Sequence, residues 1–164
     1  MFKKGLIAAA FLATGAMAAD FKVGVVNPGK ILAESAPAVA AQNKLKSYFK
    51  SREDELNRRV RAFKDKAGKF EKDSAVMTES ERLSKRRDLA EEEREITRMQ
   101  RALLEERNQR AQEESQIILS RANRIIQDLA KSQKYDLILQ EAVWASPKVD
   151  LTDEVIKRLN KPAK

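Results

Sequence analysis

The sequence predicts a mostly α protein with a small β body, in which a long antiparallel helical hairpin projects from a strand-based core. Three observations predict it. From Ala38 to Ser146 there is no proline and a single glycine, Gly68, and these are the residues that cost most inside a helix, about 1 kcal/mol for glycine and about 3 for proline. Short strand-like runs, Val23-Gly24-Val25-Val26 and Tyr135-Asp136-Leu137-Ile138-Leu139, flank that stretch. Near its middle, Asp73-Ser74-Ala75-Val76-Met77 interrupts the apolar pattern, and Thr78-Glu79-Ser80-Glu81 has the form of a capping box, so the chain reverses there.

Taken in order, the amino-terminal residues read as a secretory signal. Lys3 and Lys4 are followed by the apolar run Gly5 to Ala13 and by small residues at Ala16-Met17-Ala18, which places cleavage after Ala18, with Ala19 as the alternative. The run is shorter than the roughly 20 apolar residues of a membrane-spanning helix. The Asn27-Pro28-Gly29 cluster is expected to end the first strand, and Pro37 to open a first helix that runs to Lys72. That helix carries an apolar seam at Phe49, Leu56, Val60, Phe63, Ala67 and Phe70, in heptad steps. A second helix, from Glu79 to Lys131, carries Leu89, Ile96, Met99 and Leu103, then shifts its seam to Leu104, Ala111, Ile118, Ala122, Ile125 and Leu129.

At 1.5 Å per residue the two helices would measure roughly 50 Å and 80 Å, so the end of the longer one must pack on something other than its partner. Its richest apolar stretch, Ile117 to Leu129, lies next to the strands. Beyond it, Leu137-Ile138-Leu139 and Ala142-Val143-Trp144-Ala145 read as strands, and Val149 to Leu159 as a short helix with an acidic start and a basic end. Two or three short strands are not stable alone. Copies of the chain would therefore pool their strands in a closed symmetric body. The organisation expected is a signal peptide at 1–18, an oligomerisation body from 20–36 plus 112–164, and a coiled-coil arm over 37–111 with its tip near 73–78.

Charged residues make up 35% of the chain and aromatics 5%, a balance that suits an exposed rod. Losing Lys3 and Lys4 from 33 basic residues against 25 acidic ones leaves a mature net charge of +6. Lys44 to Lys72 holds 11 basic and 5 acidic residues, whereas Glu79 to Lys131 holds 12 of each, which assigns the excess to the first arm. Pairs four apart, Asp54 with Arg58, Glu55 with Arg59, Asp65 with Lys69 and Glu81 with Lys85, would neutralise part of it. Arg58, Arg59, Arg61, Lys64, Lys66, Lys69 and Lys72, followed by Arg82, Lys85, Arg86 and Arg87 across the tip, still form a self-repelling patch that calls for a partner. Beside these cations, Phe63, Phe70, Val76 and Met77 belong to the seam or, where the tip is loosely paired, to a surface that accepts many sequences.

Neither histidine nor cysteine occurs, which removes the commonest general base, thiol chemistry, disulfides, structural zinc sites and the lipid attachment site of bacterial lipoproteins. The carboxylates, such as Asp150 with Asp153 and Glu91-Glu92-Glu93, sit in solvated helical settings without a glycine-rich phosphate loop. The chain reads as a non-enzyme with no cofactor and no metal.

Phe21-Lys22-Val23-Gly24-Val25-Val26-Asn27 followed by Lys30-Ile31-Leu32, together with Ser132 to Leu139, Ala142 to Ala145 and Val149 to Lys157, resembles the Skp (OmpH) family of periplasmic chaperones over essentially the whole mature chain. The resemblance implies a homotrimer with a small barrel-like body and three helical tentacles around a cavity, which holds unfolded outer-membrane proteins without ATP. It maps the body to Val23, Val25, Leu137, Leu139, Val143 and Trp144, and client binding to Arg59, Phe63, Lys64, Lys66, Lys69, Phe70, Lys72 and Met77. Lys85, Arg86 and Arg87 are candidates for a contact with lipopolysaccharide or an anionic membrane surface. The alternative is a periplasmic adaptor hairpin that docks one specific partner. Nucleic acid is not an expected partner of an exported chain.

Overall fold

The computed structural model describes residues 21–162, so the signal peptide read at 1–18 lies outside the described residues. A short strand, β1 (Val23–Val26), pairs in parallel with β2 (Leu137–Gln140), in the register Val23 to Leu137 and Val25 to Leu139. Parallel strands need a long crossover, and here the crossover is the entire helical hairpin. On its other side β1 bridges to Asp150, with the Val25 amide donating to the Val149 carbonyl at 2.8 Å and the Leu151 amide donating to that of Val25 at 2.8 Å. β1 is thus the middle of three short extended segments. Gly24 permits this close packing, because a Cβ there would lie 2.6 Å from the Leu151 Cδ1.

The Asn27-Pro28-Gly29 cluster does more than end a strand. Asn27 caps a helix, α1 (Pro28–Glu34), accepting from the Lys30 amide at 2.9 Å, and Pro28 occupies the first turn, where no amide donor is needed. The chain breaks at extended Ser35 and resumes as α2 (Ala36–Asp73). Ser35 makes no side-chain cap bond, and the Ala36 amide instead donates to Asn160 Oδ1 at 2.7 Å. After the turn, the Thr78–Glu81 capping box starts α3 (Glu79–Gln133), with both reciprocal bonds present as the sequence predicts. α3 ends with Lys134 in the left-handed region at φ 55°, the Tyr135 amide bonding back to the Ala130 carbonyl at 3.0 Å. The last element is α4 (Thr152–Leu159).

α2 and α3 pack antiparallel, and the surplus of the 55-residue α3 over the 38-residue α2 packs on α1 and α4. The core lies there, formed by Val26, Ile31, Ala38, Ala41, Ile118, Ala122, Leu129, Leu151, Val155 and Leu159. Each large apolar side chain so buried contributes about 1.5–3 kcal/mol. Polar bonds tie α4 down: the Asn27 amide donates to Thr152 Oγ1 at 3.0 Å, and Lys30 pairs with Asp153 at 2.6 Å. The Thr152 hydroxyl and amide both donate to Asp150, which holds the Asp150 carboxyl below its ordinary range.

Two sequence expectations are corrected. Ala142–Ala145 forms no strand within the chain, and Val143 and Trp144 project into solvent at 110% and 82% exposure. The seam of α3 does not pass through Leu104 and Ala111, which are exposed. From Leu103 it continues through half-buried Glu106, Arg110 and Glu114 to buried Ile118, a stretch whose packing is polar.

Candidate functional site

The arm is held by charge as well as by its seam. Five cross-helix ion pairs climb it: Lys44–Glu114, Arg52–Glu106, Glu53–Arg107, Arg59–Glu95 and Lys66–Glu92. Glu106 is the centre of one layer, bonded to Arg52 at 2.5 Å and Arg110 at 3.0 Å, and these two guanidinium groups hold its carboxyl below the usual carboxylate range. Arg110 also stacks 4.4 Å from the Tyr48 ring centre, and Tyr48 meets buried Phe49 edge-on at 5.0 Å. Of the four helical pairs expected from spacing, only Glu55–Arg59 forms at 3.1 Å. Arg58 bonds Glu55 at 2.6 Å, Asp54 takes Lys50, and the Glu81 carboxylate is taken by Thr78, which lowers its pKa.

These pairs relocate the positive charge. Glutamates of α3 turn inward to neutralise cations of α2, so the excess that sequence counting assigned to the first arm is shared with the outer face of α3. There Arg87, Arg94 and Arg101 are exposed at heptad spacing, with no ion pair among the described residues.

Along the arm seam Phe49 at 1% exposure and Ile96 at 7% are buried, Leu45, Leu56, Val60, Phe63, Phe70, Met77, Leu89, Met99 and Leu103 are half-buried, and Val76 at the turn is 88% exposed. A groove of about 390 Å³ opens between the helices, lined by Lys66, Lys69, Phe70, Asp73, Met77, Lys85, Asp88, Leu89 and Glu92. It gathers Lys66, Lys69, Phe70 and Met77 of the predicted client-binding set together with Lys85. Lys66 is clasped to Glu92 at 2.9 Å, while Lys64, Lys69, Lys72, Lys85, Arg86 and Arg87 have no ionic partner among the described residues. Arg59, Phe63, Lys64 and Lys72 lie outside the groove, and Arg59 is held by Glu55 and Glu95. Sequence reasoning missed Asp73, Asp88, Leu89 and Glu92 as groove residues. The signal was present, since Leu89 is the α3 seam residue that lies across from Phe70 once the tip turn is placed.

At the opposite end, Val23, Val25, Leu137 and Leu139 share one face of the two-stranded sheet, because residues in register and two apart point the same way. Gly24, Val26 and Ile138 face the core. Within one chain that outer face is uncovered, with Leu137 and Leu139 at 42% and 43% exposure, and Val143 and Trp144, a few residues further along the chain, are exposed as well. Among the described residues no three His, Cys, Asp or Glu side chains gather into a metal-binding group, and no helix is long and apolar enough to cross a membrane.

The family described as Outer membrane protein (OmpH-like) matches residues 22–159. "Chaperone protein Skp" of Photorhabdus laumondii is 29% identical over 164 residues, covering 96% of this chain and 99% of that one. The Skp chaperone of Escherichia coli K12 is 29% identical over 163 residues with the same coverage. The crystal structure of an OmpH-like protein from Caulobacter crescentus CB15 superposes with a TM-score of 0.69 at 17% identity, covering 98% of this chain and 90% of that one, which is agreement in fold. Fold and sequence agree, and the chain belongs to the OmpH-like outer membrane protein family, the family of the Skp chaperones.

Proposed function

We propose that the chain is an ATP-independent holdase of the periplasm, exported by a cleaved signal peptide, which binds unfolded outer-membrane β-barrel proteins and keeps them from aggregating in transit. In this reading it is a homotrimer without enzymatic activity. The body, residues 20–36 and 112–164, assembles through Val23, Val25, Leu137, Leu139, Val143 and Trp144, and three arms, residues 37–111, enclose the client.

The observation that carries the reading is the division of exposed surface along the rod. One end bears an uncovered apolar sheet face, the kind of surface that copies of a chain bury together. The other end bears unpaired cations beside half-buried Phe70, Met77 and Leu89. Many weak contacts from three arms raise the effective concentration of client segments and give firm holding without one strong site. Nucleotide hydrolysis needs a phosphate cradle, and the chain's single helical-arm glycine, Gly68, is no part of one. Lys85, Arg86 and Arg87 are assigned a secondary contact with the phosphates of lipopolysaccharide or anionic lipid.

The test is dilution of an unfolded outer-membrane barrel protein from urea, with aggregation followed by light scattering. Stoichiometric amounts of the chain, without nucleotide, are expected to suppress the scattering. Undiminished scattering at saturating chain removes the proposal.

A further inference from the structure

We propose that in the client-free assembly neighbouring arms close on one another: an exposed heptad row on α3 of one copy lies against the acidic flank of the arm in the next copy. The contact rests on the holdase reading, in which the body sets three arms side by side, and gives the cage a resting state that a client must part.

The row is a heptad that the hairpin leaves unused. Leu83, Ala90, Thr97, Leu104 and Ala111 follow one another at seven-residue steps, and the same steps continue to buried Ile118 and half-buried Ile125 in the body core. A straight helix drifts by about 20° per heptad, so a row that packs inward at Ile118 has left the hairpin seam further up the arm. There α2 packs on Ile96, Met99 and Leu103 instead, and Leu104 and Leu83 stand 59% and 48% exposed. Leucines at heptad positions are what a second helix packs on.

Charge identifies that helix as one of another copy. The edges of the row, three and four residues on from its members, carry Arg86, Arg87, Arg94, Arg101 and Arg107 against the single acid Glu93. Glu53 holds Arg107, and the other four arginines have no ion pair among the described residues. The opposite flank of α3 is acidic: the groove it forms there with α2 is lined by Asp88, Glu91, Glu92 and Glu95 against Arg59 alone. Lys66 takes Glu92, and Arg59 and Arg98 take Glu95, which leaves Asp88 and Glu91 without an ion pair among the described residues. In a ring closed by rotation each copy turns one flank to one neighbour and the other flank to the next, so every junction sets basic edge on acidic flank. A two-fold pair would set like on like. Each hairpin is about 20 Å wide, two helix diameters, so three in lateral contact enclose almost no space. Closed arms are therefore the empty state.

The chain has no cysteine, so introduced thiols report single positions. Full-length chains carrying Thr97→Cys on the row are refolded together with chains carrying Ala62→Cys in the acidic groove, and treated with a bis-maleimide of about 10 Å, the distance between packed helices. Both positions are exposed, and the Arg59–Glu95 pair places them at similar heights on the arm. The expected product is a mixed cross-link between copies, with few Thr97–Thr97 or Ala62–Ala62 products, and it should be lost when unfolded barrel protein is added. Leu104→Asp should leave the sedimenting mass unchanged, because the body holds the copies together, and should suppress the mixed product. Arg87→Glu/Arg94→Glu should suppress it too, and adding Asp88→Arg/Glu91→Arg to the same chain should restore it, since the flanks have then exchanged sign. No mixed product in the client-free assembly, like-with-like products in equal amount, or no recovery on sign exchange overturns the contact. A mixed product that client leaves untouched overturns the resting state. Light scattering on the wild-type chain separates the two claims: suppressed aggregation without the mixed product removes the arm contact and leaves the holdase standing, whereas the mixed product without suppression does the reverse.

Discussion

Leu139→Asp separates assembly from folding. Leu139 lies on β2 opposite Val25 and is 43% exposed in the single chain, on the face turned away from the core. A carboxylate there keeps access to water in an isolated chain, so the chain folds at small cost. In an assembled body the same carboxylate is enclosed, and removing an unpaired charge from water costs several kcal/mol after relaxation. At about 3 kcal/mol per copy the penalty is about 9 kcal/mol for the proposed trimer, and since the midpoint concentration of a trimer follows the square root of its dissociation constant, that midpoint rises about a thousandfold. Sedimentation equilibrium over a wide concentration range reads it, with circular dichroism to establish that the helices persist. Leu104→Asp is the control, because Leu104 is 59% exposed on the arm and should leave the mass unchanged. If Leu139→Asp sediments like the wild type at every concentration, the outer sheet face is not the assembly surface.

Phe49→Ala is expected to loosen the arm root by about 3–4 kcal/mol, within the range for buried phenylalanine, whereas half-buried Phe70 should cost about half as much; native-state hydrogen exchange of α2 amides checks the contrast, and equal effects contradict the difference in burial between the two rings. Reversing Lys64, Lys69 and Lys72 to Glu should weaken capture of acidic clients at low salt and converge with wild type at high salt, since exposed charges are screened beyond about 10 Å at 0.1 M ionic strength; Lys66 is spared because its reversal would set like charges against Glu92, and equal low-salt affinities would leave holding to apolar contacts. Glu55 and Glu106 have carboxyls held below their ordinary value of 4.5 by arginine partners, so their contribution to the arm is fully present above that value and is lost as pH falls through the lowered one. Exchange protection in mid-arm should therefore hold from pH 7 to about 5 and decline below 4, and Glu106→Gln should flatten the decline.

The hairpin was legible in the sequence because its signals are local. The missing breakers, the heptad step from Phe49 to Phe70 and the Thr78–Glu81 box each act within a few residues. The Asn27-Pro28 helix start was equally local, and its capping signature was read only as a strand stop. What escaped were relations between distant segments. Leu104 and Ala111 continue the apolar count, but the layer there is made by Tyr48, Arg52, Glu106 and Arg110, polar groups to which a hydrophobic period is blind. The pairing of β1 with Val149–Leu151 depends on Gly24 admitting Leu151, which no propensity encodes. Val143 and Trp144 are strand-like in composition yet unpaired in the chain, as residues that serve a surface between copies would be. The predicted client set divides for the same reason: Lys66, Lys69, Phe70 and Met77 converge at the groove, while Arg59 is consumed by Glu55 and Glu95.

Holding is the central claim, and co-sedimentation tests it most directly. A fluorescently labelled unfolded barrel protein is diluted from urea into the chain, without nucleotide, and its sedimentation velocity is followed through the label. The account predicts a single discrete boundary containing the client and the assembled chain, stable over hours, and lost when Leu139→Asp replaces the wild type. Client that sediments as heterogeneous aggregate in the presence of excess wild-type chain, or as free monomer beside an unoccupied chain, contradicts it.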